Sequence, residues 1–232
     1  MTNGENTKDW QHLLAAQRRL QAVLPDAVLV GGTAAALHLH HRTSLDGDHV
    51  LTDLQAHFDE TLQKLEATPG WTTARIQPPV LILGAMDGIP TGVRQLRRKR
   101  PLETVAIDGL RTPSLIETAR IKAWMLISRN TVRDYLDTVA LLEHLAASSM
   151  PEFVRSFTAC YERGPGGGSV VEELIEKLGT AAPQDLDRVD LTSYRQVLAP
   201  WRDLEELRRR GRALGPVIAA IWLQLAEGGQ AS

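Results

Sequence analysis

The sequence predicts an α+β fold: a small mixed β-sheet with helices before and after it, followed by a helical C-terminal region. Three observations predict it. A short apolar run at 27–30 breaks at Gly31-Gly32 and passes directly into an Ala/Leu-rich stretch of helical character. Across 71–107, runs of strand length are separated by Pro78-Pro79, Asp87-Gly88 and Pro90. From 113 onward the apolar spacing is mainly helical. This change of period divides the chain into an expected α/β core at 1–112 and a helical region at 113–232.

The elements follow in order. Residues 9–23 place Trp10, Leu13, Leu14, Gln17 and Leu20 close to helical spacing. After the strand at 27–30, a helix is expected from Thr33, with the Thr33 hydroxyl as its cap. A helix at 58–67 sets Phe58, Leu62 and Leu65 on one side and closes at Pro69-Gly70. Strands are expected at 71–76, 80–83, 92–96 and 102–107, the last ended by the turn Asp108-Gly109. Pro113 sets the start of a helix at 114–127, with Leu115, Ala119, Ile121, Lys122, Met125 and Leu126 along its inner side. Arg129-Asn130-Thr131 is a tight break before a helix at 132–145. There Asp134 stands three residues after Thr131, a capping-box-like position, and shares a face with Asp137. Further helices are expected at 151–161, 170–178, 193–198, 203–210 and 216–225. The glycine-rich loop 164–169 is not followed by a lysine and is no nucleotide cradle.

Composition excludes several classes. The net charge of −2 argues against a strongly basic nucleic-acid binder, although a local patch is compatible with it. Cys160 is the sole cysteine, so neither an internal disulfide nor a cysteine-based zinc motif can form. The polar start MTNGENTKDW has no signal-peptide core, and the apolar run 213–226 is too short to span a membrane. A reducing, cytoplasmic setting without membrane contact is the expectation.

The chemistry concentrates in VLVGGTAAALHLHHRTSLDGDHV, residues 28–50. Paired glycines let a backbone approach a ligand, and a helix start attracts phosphate. Asp46 and Asp48, if on an extended strand, put two carboxylates on one face, within reach of one divalent ion. The competing reading makes Leu45-Asp46-Gly47-Asp48 a hairpin turn and Gly-Gly plain punctuation. The stretch is not a P-loop, a dinucleotide fingerprint or an EF-hand. His38, His40, His41 and His49 crowd the region; they are expected to be polar or substrate-facing rather than zinc ligands, because His40 and His41 diverge on a helix. A second cluster, Arg94-Gln95-Leu96-Arg97-Arg98-Lys99-Arg100, carries five positive charges in seven residues. It reads either as a solvated edge strand or as a triphosphate or RNA-backbone contact through Arg94, Arg97, Arg98 and Arg100.

The Gly-Gly, gap and Asp-x-Asp pattern resembles the signature of the DNA polymerase β-like nucleotidyltransferases. With TGVRQLRRKRPLE and RIKAWMLISRNTVRDYLD added, the chain resembles the AbiEii/AbiGii nucleotidyltransferase family, whose members often act as toxins of toxin–antitoxin or abortive-infection systems. Gly47 between the acids, where the family usually has an apolar residue, and His49 after them depart from the pattern. The resemblance implies Mg²⁺- or Mn²⁺-dependent transfer of a nucleoside monophosphate from a nucleoside triphosphate to an RNA (tRNA included) or protein acceptor. It implies metal ligation by Asp46 and Asp48, and nucleotide binding by Gly31, Gly32, Thr33, Ser44, Arg129, Arg133 and Asp137. Lys122 would steady the leaving group, with Asp134 orienting it or contacting the nucleotide, so that the helical region completes the cleft. An antitoxin or regulator from a neighbouring gene is the implied partner. Polymerase β-like enzymes commonly add a third carboxylate from a later strand. Where it is sought the chain offers Gln95, with Asp87 and Asp108 nearby, each preceding glycine and reading first as a turn residue. Two alternatives therefore stand: a nucleotide- or RNA-binding protein on the same fold with its chemistry lost, or a structural partner protein.

Overall fold

A computed structural model describes residues 3–98, 100–161, 167–189, 191 and 197–228. Residues 164–166 of the expected loop and 193–196 of the expected helix lie outside them, as does Lys99. The chain forms two compact units, Met1–Ser114 and Leu115–Ser232.

The first unit holds α1 (Asn3–Val23), β1 (Val28–Val30), α2 (Gly31–Leu39), β2 (Gly47–Leu51), α3 (Phe58–Glu66), β3 (Trp71–Gln77), β4 (Leu81–Met86), β5 (Ile89–Gln95), β6 (Thr104–Ile107) and β7 (Leu110–Pro113). Five strands make one mixed sheet in the order β1-β2-β5-β4-β3; β2 and β5 are parallel and the other neighbours antiparallel. β6 and β7 form a separate hairpin around Asp108 and Gly109, both at positive φ. One apolar core joins Ala16 and Leu20 of α1 to Phe58 and Leu65 of α3 and to Ile82, Met86 and Val93 of the sheet. A second gathers Leu13, Leu14, Leu29, Leu37 and Leu110.

Four expectations for this unit change. The helix α2 starts at Gly31 directly after β1, and no side chain caps it. Thr33 lies inside it and donates instead to the Asp46 carbonyl at 2.5 Å. Asp46-Gly47 is no hairpin turn, because Gly47 opens β2 and β1 reaches β2 only through α2. Pro90 is part of β5 rather than a separator. Its missing N–H is tolerated because pairing with β2 begins one residue later, at Thr91. Pro113 ends β7, a strand the sequence reading did not anticipate, and α4 begins after it.

The second unit contains α4 (Leu115–Arg129), α5 (Val132–His144), a 3₁₀ turn (Ala147–Ser149), α6 (Met150–Cys160), α7 (Val170–Thr180) and α8 (Leu204–Gly228). The expected break at Gly215-Pro216 does not occur: α8 runs through it, with Pro216 exposed and Gly215 buried. Proline leaves one helical bond unmade, and an exposed position lets water satisfy the freed carbonyl. Tyr135 fixes how closely α5 and α8 approach. Its hydroxyl donates to the Leu178 carbonyl at 3.1 Å, and burial pushes that hydroxyl up to about 12. A Cβ on Gly211 would lie 2.0 Å from the Tyr135 oxygen. Gly211→Ala is therefore expected to destabilise the protein by about 1–3 kcal/mol, despite the better helix propensity of alanine. Urea unfolding checks this; a gain in stability would mean that Tyr135 has room to move.

Candidate active site

The site is built where β1 ends. Gly31 takes φ +73°, a backbone that L side chains rarely adopt, and a Cβ there would stand 3.4 Å from Asp48 Oδ2. The glycine turn thus lies directly against the second acid. A Cβ on Gly32 would fall 2.5 Å from Arg42 Nη2 and 3.1 Å from Ser44 Oγ. Ser44 Oγ donates to Asp46 Oδ1 at 3.0 Å. The Thr33 hydroxyl bond to the Asp46 carbonyl ties the acid segment to the first turns of α2. Burial alternates along the entry to β2: Asp46 and Asp48 are partly exposed, while Gly47, His49 and Leu51 are buried. This is the period expected of a strand with one solvated face. Gly31, Gly32, Thr33, Ser44, Asp46 and Asp48 are brought together. Arg42, which sequence reasoning missed, joins them as a buried cation at the glycine turn. Its position two residues before Ser44 was the available signal.

The departures at 47 and 49 have physical reasons. A Cβ on Gly47 would stand 2.0 Å from Gln17 Oε1, so glycine is what lets α1 lie against β2. His49 points into the interior and is fully buried, and among the described residues neither ring nitrogen has a hydrogen-bond partner. It is not substrate-facing. Burial lowers its pKa from 6.5 to about 3, so the folded protein carries a neutral imidazole. Because the folded pKa lies below the unfolded one, this stabilisation is complete above pH 6.5 and is lost as pH falls toward 3. The expected slope is at most about 1.4 kcal/mol per pH unit. Comparing urea midpoints at pH 7.5 and 4.5 with those of His49→Leu isolates it; parallel losses in both proteins would contradict it.

The basic run divides. β5 is the central strand and ends at Gln95, which removes the edge-strand explanation for residues 96–100. Arg94 pairs with Asp48, Nε to Oδ1 at 3.3 Å. Arg98 turns back on its own chain, donating to the carbonyls of Arg100 at 3.0 Å and Pro101 at 2.8 Å. Arg97 and Arg100 are exposed. Gln95 faces away from the acids and braces the chain, donating to the Thr52 carbonyl and accepting from the Gln55 amide, both at 2.7 Å. Asp87 pairs with Arg19 in the β4–β5 turn, roughly 17 Å along the strand from Gly92. Asp108 sits at positive φ in the β6–β7 turn. None of the three sequence candidates supplies a third acid beside Asp48.

In the second unit, Lys122 is buried with its Nζ 2.8 Å from Asp137 Oδ2 and 3.7 Å from Asp134 Oδ1. Arg129 grips Asp134 with both fork nitrogens, at 3.1 and 2.8 Å. The Thr131 hydroxyl accepts from the Asp134 amide, so Asp134 is both a capping partner and an ion-pair acid. Asp137, rather than Asp134, makes the short bond to the lysine. Arg129 and Arg133 are exposed.

Two carboxylates suit a hard divalent cation that takes its remaining oxygens from phosphates and water. Among the described residues no group of three or more acids, histidines or cysteines could hold a metal by itself. The residues present fit an ion brought in with a phosphorylated ligand.

The α+β architecture, with its small mixed sheet, is that of the nucleotidyltransferase-like fold. The chain is similar over 98% of its length, and 97% of theirs, to JHP933 from Helicobacter pylori, with TM-score 0.54 and 17% identity. It is equally similar to a candidate nucleotidyltransferase from H. pylori, with TM-score 0.55, 16% identity and 97% and 99% coverage. At such identities the likeness shows the fold alone. No protein-family model matches the chain. By sequence it is 30% identical over 120 residues to the heme uptake protein MmpL11 of Mycobacterium tuberculosis and to the transport protein MmpL11 of Mycobacterium bovis. That stretch is 49% of this chain, which spans only 12% of the length of those relatives. Among the described residues no helix is long and apolar enough to cross a membrane.

Proposed function

We propose that the protein is a Mg²⁺- or Mn²⁺-dependent nucleotidyltransferase. It moves a nucleoside monophosphate from a triphosphate to an RNA (tRNA included) or protein acceptor. In this reading it is the toxin-like member of an AbiEii-type two-gene system, working in the cytoplasm beside an antitoxin or regulator. The observation that carries the reading is the acid pair Asp46 and Asp48, held against the Gly31–Gly32 turn by Thr33 and Ser44.

The chain's own residues divide the work. The first amides of α2, at a turn where Asp48, Arg42 and Ser44 pack against Gly31 and Gly32, are the donors for phosphate oxygens. Arg42 offers its guanidinium at the same turn, and Ser44 fixes the orientation of Asp46. Asp46 and Asp48 hold the divalent ion, which when bound neutralises charge building at the α-phosphorus. Arg97 and Arg100 are exposed cations for an acceptor's phosphates.

A second reading, nucleotide binding without transfer, is favoured because none of Gln95, Asp87 and Asp108 supplies a third carboxylate beside Asp48. Incubation with each α-labelled triphosphate, Mg²⁺ and total RNA or protein separates the two. Label is expected on one acceptor class. Triphosphate binding without label on either would establish the second reading.

A further inference from the structure

We propose that the acid pair takes a single divalent cation, with the guanidinium of Arg94 standing on β5 where a second cation would otherwise be needed. This inference rests on the nucleotidyltransferase reading above.

β5 is the parallel neighbour of β2, with Asp48 opposite Gly92 and Val50 opposite Arg94. Residues 92 and 94 therefore share the face of Asp48, and residues 93 and 95 share the opposite one. Gly92 brings no side chain, and a Cβ there would already stand 3.0 Å from Asp48 Oδ1. Arg94 brings a cation whose Nε lies 3.3 Å from that same oxygen. On the other flank β1 puts Val30 opposite Asp48. Val93 is spent in the core and Gln95 on the backbone around Thr52 and Gln55. Both strands beside the acid pair thus present no carboxylate to it.

Two-cation phosphoryl transfer needs ligands shared between ions about 3.5–4 Å apart. Here one of the two acids already has an arginine on one oxygen, which leaves enough carboxylate for one ion completed by phosphates and water. A second ion of double positive charge would be repelled by the guanidinium. The Arg94 side chain remains 46% exposed, so its remaining N–H groups can meet a phosphoryl oxygen.

The test is electron paramagnetic resonance of the full chain with Mn²⁺ and a non-hydrolysable triphosphate. The wild type is expected to show isolated Mn²⁺, one protein-bound ion per triphosphate. Arg94→Asp restores a third carboxylate and is expected to give the coupled signal of a Mn²⁺ pair. Arg94→Ala is expected to keep the isolated signal while binding Mn²⁺ alone several-fold more tightly, because Asp48 is no longer shared. A coupled pair in the wild type would overturn the inference and leave the nucleotidyltransferase reading standing. So would unchanged Mn²⁺ affinity in Arg94→Ala. A wild type that binds neither Mn²⁺ nor triphosphate would defeat that reading itself, and this inference with it.

Discussion

Asp137→Ala is expected to destabilise the protein by about 3–5 kcal/mol, the usual consequence of stranding one member of a buried ion pair. The Lys122 side chain is 3% exposed and that of Asp137 not at all, and the Nζ–Oδ2 distance is 2.8 Å. Without Asp137 the ammonium keeps, among the acids of the described residues, only Asp134 at 3.7 Å, and Asp134 already serves the Arg129 fork and the α5 cap. Replacing both partners by apolar residues, as in Lys122→Met with Asp137→Leu, is expected to recover much of the loss, because no charge then stays buried. Urea unfolding of the two variants measures both effects. A single mutant within about 1 kcal/mol of the wild type would show that the pair is no energetic unit.

Asp48→Asn is expected to lower labelled nucleotide transfer by at least about a hundredfold, since a metal-ligand carboxylate does more than the outer groups whose loss costs 10–100-fold. Its stability should change little. Asp48 is partly exposed, and its ion pair with Arg94 is half in solvent, where such pairs contribute roughly 0–1 kcal/mol. Transfer assays and thermal midpoints on the same preparation separate the two effects. Full activity in a folded Asp48→Asn protein would remove Asp48 from the metal.

Much of the fold was legible because its signals are local. Runs of strand length between Gly/Pro punctuation located β3 and the β4–β5 turn, and Thr131 announced the start of α5, whose cap the structure contains. What was not legible depends on long-range neighbours. β7 is four residues long, and its buried Thr112 donates to the Leu29 carbonyl at 3.1 Å, a partner far away in sequence. Gly47 looked like a defect in the motif until Gln17 of α1 appeared against it. The residue facing the acids on β5 was off by one position from Gln95 to Arg94. A shift of one residue on a strand exchanges its faces, and only the β2–β5 register fixes which face is which. The edge-strand reading of the basic run failed for the same reason, since strand order cannot be read from one strand's composition.

The central claim is that Asp46 and Asp48 hold a divalent ion together with a triphosphate at the Gly31–Gly32 turn. Calorimetric titration of the full chain with Mg²⁺ and each triphosphate, repeated on Asp46→Asn/Asp48→Asn, tests it most directly. Binding of at least one triphosphate that requires Mg²⁺ and disappears in the double variant is the predicted result. Equal affinity in the two proteins, with or without the metal, would contradict it.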